Sequence, residues 1–165
     1  MPTYVFDIDG VIFDVSKRLE IAKQCSRGDE REFWRYFFQE ELLIYDIPRR
    51  IGIELLMDRL DRGRVVIVTG RPNRLRRATL DQLSSAGIPV NRISEIYMRR
   101  DNDYRKGYIV KEEIIKYLLS RGMDIEEIHD DDEIFLKRIK TLLSCKLYLH
   151  RDSEVIELFP YSKRL

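Results

Sequence analysis

Three of the chain's five short apolar runs break off in polar residues. The first ends in Asp7-Ile8-Asp9-Gly10, the second in Thr69-Gly70-Arg71-Pro72 and the fourth in Asp130-Asp131-Asp132. Such runs, alternating with longer segments of helical periodicity, predict an α/β fold: a doubly wound, largely parallel sheet with helices on both faces. In open sheets of this kind the ligand sits beyond the carboxyl ends of the strands, so the three polar endings converge on one crevice. The expected strands are Tyr4–Ile8, Arg64–Val68, Glu95–Met98, Ile125–His129 and Lys146–Leu149, and the expected helices are Arg49–Asp61, Pro72–Ala86, Gly107–Ser120 and Glu133–Leu143. Pro72 suits a first helical turn and Gly87 a helix stop. A short helix is expected after Asp152.

Ser16–Tyr45 departs from the strand–helix rhythm and reads as two helices, the second carrying Phe33, Trp34, Phe37 and Phe38. Aromatics at that spacing are more often packing residues than a ligand platform. Because the segment follows the first strand directly, residues 16–45 are expected to form a small helical cap over a single domain of 165 residues. The 30 basic and 29 acidic residues nearly cancel, which excludes a uniformly basic nucleic-acid binder while leaving local patches open. No apolar stretch is long enough to span a bilayer, so no membrane partner is expected. Cys25 and Cys145 form no CxxC pattern, and free thiols in a cytoplasmic protein are the expectation.

Asp7 and Asp9 are two apart, so on an extended chain both carboxylates can face one site. Two like charges that close repel, and a divalent cation relieves the conflict. An oxygen-rich site with room for water and phosphate suits Mg²⁺. Gly10 lets the backbone turn toward the ligand. Asp130 and Asp131 stand nearest the fourth strand's end and are placed to complete a metal site with Asp7. Asp132 and Glu133 fit a helix start equally well. His129 and His150 look isolated, each an ordinary strand-end residue. Thr69 and Gly70 offer a hydroxyl and backbone N–H groups for a phosphate, although the same residues also make a plausible turn and cap. Lys111, on a helix, would balance charge beside the carboxylates.

Taken in this order, the motifs resemble the haloacid dehalogenase (HAD) superfamily: DxDG at Asp7–Gly10, a strand-end Thr69, a helix-borne Lys111 and an acidic pair at Asp130-Asp131. Met98–Ile114, MRRDNDYRKGYIVKEEI, is further similar to the 3′-phosphatase domain of phage-type polynucleotide kinases, with Arg99, Asp103, Arg105 and Lys111 on family positions. No Walker A sequence accompanies it, so the kinase half is absent. The resemblance implies a Rossmann-like core of strand order 3-2-1-4-5, since Asp7 and Asp130 share a metal only if the first and fourth strands are neighbours. It also implies a magnesium-dependent phosphatase. Asp7 attacks phosphorus, Asp9 exchanges the proton, and Thr69 and Lys111 hold the transferring group. Mg²⁺ is held by Asp7, the Asp9 backbone carbonyl and either Asp130 or Asp131. Gly70, Arg71, Arg99 and Arg105 are the implied substrate contacts, and a nucleic-acid 3′ end is the implied partner. A phosphatase of small metabolites remains the second reading, because Arg74, Arg76 and Arg77 fit a solvated helix face equally well. A non-catalytic binding module is the third, and an acid two residues from a nucleophile argues against it.

Overall fold

A computed structural model describes residues 1–159 of the chain. The elements follow in the order β1 (Thr3–Phe6), β2 (Phe13–Asp14), α1 (Ser16–Ser26), α2 (Glu30–Phe37), β3 (Ile47–Pro48), α3 (Arg50–Leu60), β4 (Arg64–Pro72), α4 (Arg76–Ser85), β5 (Glu95–Arg99), α5 (Gly107–Ser120), β6 (Ile125–Asp130), α6 (Glu133–Lys140), β7 (Lys146–Arg151) and β8 (Glu154–Leu158). Short 3₁₀ turns occupy Glu40–Tyr45 and Asn73–Leu75.

The main sheet has the order β5-β4-β1-β6-β7-β8, with the first five strands parallel and β8 antiparallel to β7. The five parallel strands take the expected 3-2-1-4-5 arrangement. Their apolar runs are near-continuous because both faces are covered. Alternation divides them: Tyr4, Phe6, Val65 and Ile67 share a core with Leu56 and Leu60 of α3 and Leu83 of α4. Val5, Val66 and Val68 pack on the other side with Ile115 of α5 and Phe135, Leu136 and Ile139 of α6.

Three expectations need correction. The segment after Asp152 is the strand β8, not a helix. EVIEL pairs with β7 across the two-residue turn Asp152-Ser153, where Asp152 sits at φ 47°, a left-handed conformation that Asp tolerates. Pro72 closes β4 rather than opening a helix. It pairs with Arg99 after a register irregularity, and α4 starts only at Arg76. Residues 69–72, expected to meet a phosphate, therefore lie on extended backbone, with no α-helix beginning at Gly70.

The third concerns the histidines, which are isolated only in sequence. His129 and His150 are both buried, with Nδ1 of the first 2.9 Å from Nε2 of the second. Arg49 Nη1 lies 2.6 Å from His150 Nδ1, and His129 Nε2 lies 3.0 Å from Glu127 Oε2, which also accepts from Arg59 Nε at 2.7 Å. Arginine only donates, so the direction of every bond follows: Arg49 to His150, His150 to His129, His129 to Glu127. Burial pushes both imidazoles down, His150 to about 3, so both stay neutral in this chain. Arg49 also donates to the carbonyls of Val11, Asp152 and Glu154. It thereby ties the loop that follows Asp9 to the β7–β8 turn.

Candidate active site

β1 ends at Phe6, and Asp7 leaves the sheet with its N–H still bonded to the His129 carbonyl (2.9 Å). That bond keeps Asp7 level with Asp130 at the end of β6. Asp7, Asp130 and Asp131 each bring a carboxylate oxygen within 4.8 Å of the others. Lys111 reaches in from α5, its Nζ 2.8 Å from Asp130 Oδ2 and 3.4 Å from Asp7 Oδ2. Burial raises the Asp7 carboxyl to about 8 and Asp130 to about 7, against the pull of the Lys111 ammonium. Burial works against the ammonium too, but Asp130 and Asp7 outweigh it and hold the lysine charged. Three carboxylates face one ammonium, and the donors are all hard oxygens. That donor set fits Mg²⁺. The Asp9 carboxylate is not one of the three, being committed elsewhere.

Gly10 lies against this cluster at φ +81°, and a Cβ there would lie 2.1 Å from Asp131 Oδ2. Gly10→Ala is therefore expected to cost about 1–3 kcal/mol in backbone strain alone. It should also push the Asp131 carboxylate out of the cluster. Calorimetric Mg²⁺ titration and thermal melts of the variant check both effects, and an unchanged Mg²⁺ affinity would remove Asp131 from the ligand set.

Asp9 stands in a second, cationic environment. All of its hydrogen bonds fall on Oδ1: Arg18 Nη2 at 2.6 Å, Arg71 Nη2 at 2.7 Å and Arg71 Nε at 3.0 Å. Burial alone would raise this carboxyl, but Arg71 and Arg18 outweigh it and hold it down to about 2. Arg18, on α1, is 0% exposed. It forks onto both oxygens of Asp46 (2.9 Å each), donates to the Phe37 carbonyl and lies 4.3 Å from the Phe37 ring centroid. Gln82 of α4 completes the network, donating to Asp46 and accepting from Arg71. Arg18, Asp46 and Gln82 were not singled out from sequence. The signal for Arg18 was present: it shares the buried face of α1 with Ala22 and Ser26, and a charge on such a stripe needs a partner.

The structure brings Asp7, Asp9, Lys111, Asp130 and Asp131 together at the strand ends, with Thr69, Gly70 and Arg71 on β4 beside them. The Thr69 hydroxyl is buried and accepts from the Arg71 N–H. The three arginines expected to meet substrate each hold protein groups as well. Arg71 is enclosed by Asp9, Thr79 and Gln82. Arg99 donates to the carbonyls of Gly70, Asp103 and Arg105, tying the β4 and β5 loops together. Arg105 pairs with Asp103 and Glu113. The reason for Arg71 and Arg99 is burial, since a guanidinium removed from water must have its donors satisfied. Among the described residues, Arg74, Arg76, Arg77 and Arg100, like Arg99, are in no ion pair, so this end of the molecule carries positive charge that no carboxylate pairs.

No protein-family model and no curated protein matches the chain. Solved structures do. A chain of the Pnkp1/Rnl/Hen1 RNA repair complex is 21% identical over 92% of this chain and 47% of its own length, with a TM-score of 0.65. A haloacid dehalogenase-like hydrolase from Streptococcus pneumoniae is 13% identical over 84% of this chain and 80% of its own, at 0.60. The class C acid phosphatase from Bacillus anthracis with tungstate bound is 18% identical over 79% and 52%, at 0.55. The chain thus has the HAD hydrolase fold and spans about half the length of the repair-complex chain. Among the described residues, no helix is long and apolar enough to cross a membrane.

Proposed function

We propose that this chain is a magnesium-dependent phosphomonoesterase that works through an aspartyl-phosphate and removes phosphate from nucleic-acid 3′ ends. The observation that carries it is the pairing of two unlike carboxylates two residues apart. Asp7 is in an oxygen cluster that fits a divalent cation, and Asp9 is held apart from it by two guanidiniums. Mg²⁺, which Asp7, Asp130 and Asp131 would hold with the Asp9 backbone carbonyl, would neutralise charge on the transferring phosphoryl group. An Asp7 oxygen attacks phosphorus as the bond to the leaving oxygen breaks, and that oxygen takes a proton from Asp9. Water then attacks the aspartyl-phosphate and returns a proton to Asp9, releasing phosphate and freeing Asp7. With Oδ1 committed to Arg18 and Arg71, Oδ2 is the oxygen that exchanges the proton. The two guanidiniums hold Asp9 ionised before substrate arrives, the form that accepts a proton from water in the second step, and the negative phosphate brought beside it raises its proton affinity for the first. Lys111 and the Thr69 hydroxyl are the groups assigned to the phosphoryl oxygens. Residues 16–45 act as the cap, fastened to the site through Arg18 and Asp46.

The 3′-end assignment draws on the likeness to the repair-complex chain, on the sequence resemblance at Met98–Ile114 and on the unpaired arginines. The test is hydrolysis of 3′-phosphorylated and 5′-phosphorylated oligonucleotides, a 3′-mononucleotide and glycerol phosphate with Mg²⁺. The 3′-phosphorylated oligonucleotide should be preferred, and the preference should shrink as salt rises, because each phosphate contact releases counterions. EDTA should abolish every rate. Added Mg²⁺ should raise the melting temperature more at pH 8 than at pH 5, since protons compete for Asp7 and Asp130. Activity in EDTA would exclude this class of mechanism. Equal kcat/KM for mononucleotide and oligonucleotide at all salt concentrations would leave a small-molecule phosphatase.

A further inference from the structure

We propose that the Trp34 indole is the stacking platform for a nucleobase next to the scissile phosphate, so that the chain takes unpaired 3′ ends. The proposal rests on the 3′-end reading above and adds to it a specific contact and a strand requirement. Trp34 is the chain's one tryptophan. Of the five aromatics in residues 33–38, Phe37 is buried and Phe33, Tyr36 and Phe38 are partly covered, but Trp34 stays 45% exposed. The ring is nonetheless fixed. It lies nearly parallel to Phe38 at 5.7 Å between centroids, and it meets Phe33 and Phe37 edge-on at 4.9 and 5.7 Å. A large flat surface held rigid and left open suits another flat ring.

Its surroundings say which kind of ring. Phe38, on which Trp34 stacks, has the Arg99 guanidinium 5.9 Å from its centroid, and Arg99 holds the Gly70 carbonyl beside Thr69. Arg74 donates to the Phe38 carbonyl at 3.3 Å, and its own N–H is fixed by Asp101. The shelf is thus continuous with the phosphate end of the site. It is bordered by Arg74, which is in no ion pair among the described residues, with Arg76, Arg77 and Arg100 in the same two loops or just beyond. A ligand with a flat aromatic group and several phosphates meets both features, and a nucleic-acid strand has both. A base that stacks on a protein ring must be free of its pairing partner, which makes the substrate end single-stranded.

The fluorescence of the sole tryptophan reports the contact directly. Asp7→Asn protein, which binds without turnover, would be titrated with a short 3′-phosphorylated oligonucleotide, with the same strand made abasic over its last two positions, and with inorganic phosphate. Quenching by the first and not by the other two is expected; equal quenching by the abasic strand overturns the proposal. In turnover, Trp34→Ala should lower kcat/KM on the oligonucleotide roughly ten- to hundredfold through KM. Glycerol phosphate should be hydrolysed at the parent rate, and Trp34→Phe should restore most of the oligonucleotide activity. A loss equal on both substrates would mark Trp34 as packing only. A blunt duplex with a 3′-phosphate should be a poorer substrate than the single strand, and equal rates would count against the platform. If the parent protein cleaves glycerol phosphate but no 3′-phosphorylated oligonucleotide, the 3′-end reading fails and takes the platform with it. If it cleaves the oligonucleotide and Trp34→Ala does so equally well, the platform alone fails.

Discussion

Asp7→Asn is expected to lower turnover by about 10⁴-fold or more while the fold stays intact. The amide has the shape of the carboxyl and can still accept from the Ile8 N–H, which lies 2.8 Å from Oδ1. It cannot form the acyl phosphate. The same change has a signature in stability. The folded-state pKa of Asp7, about 8, lies above the ordinary 3.8, so its favourable contribution is complete below about pH 4 and is lost as pH rises through 8. Asn carries no such dependence. In EDTA the variant should therefore melt at or above the parent at pH 8, and the gap should close toward pH 4. Turnover near the parent level would refute the aspartyl-phosphate route, whatever the melts show.

Arg18→Met should have the largest effect on folding, about 3–5 kcal/mol, because it strips a buried ion pair of one partner. Asp46, whose side chain is fully buried, loses its two-pronged partner and keeps only Gln82 and a longer contact with Arg71 (3.3 Å). Asp9 loses its shortest hydrogen bond, so turnover should fall together with stability. The pH dependence again has a definite sign. Asp9 is depressed to about 2, so its contribution is present above the ordinary 3.8 and is lost as pH falls toward 2. Urea denaturation should show the full difference between parent and variant at pH 7 and a smaller one at pH 3. A difference below about 1 kcal/mol at pH 7 would mean that the network contributes little to the fold.

The five parallel strands were legible because burial on both faces writes them as unbroken apolar runs, Tyr-Val-Phe and Val-Val-Ile-Val among them. β8 was not, since an edge strand with alternating exposure reads as a tail. Asp7, Asp130 and Asp131 could be brought to one crevice by strand-end logic alone. The partners of Asp9 could not. Arg18 and Asp46 come from an insertion whose three-dimensional path no periodicity specifies, and Gln82 lies on a helix that otherwise reads as amphipathic. The protein partners of Arg71, Arg99 and Arg105 were hidden for a related reason: sequence shows where a guanidinium lies along the chain, but not whether a carbonyl such as that of Gly70 already occupies it. His129 and His150, far apart in the chain, meet because β6 and β7 are neighbours.

The chain leaves for its helical insertion at β2 and returns at β3, and these two short strands pair antiparallel, Phe13 opposite Pro48 and Asp14 opposite Ile47. The insertion's two ends are therefore held side by side, and a longer or shorter insert would add little loop-closure cost. By that measure it is a module that could be traded for another without disturbing the sheet. Arg18 denies it that independence. Any replacement must bring its own buried cation to Asp9 at the same point, or the Asp9 carboxylate of the core loses the pairing that holds it ionised. The insertion and the Asp9 carboxylate are electrostatically one unit, and a graft that alters the first alters the second with it.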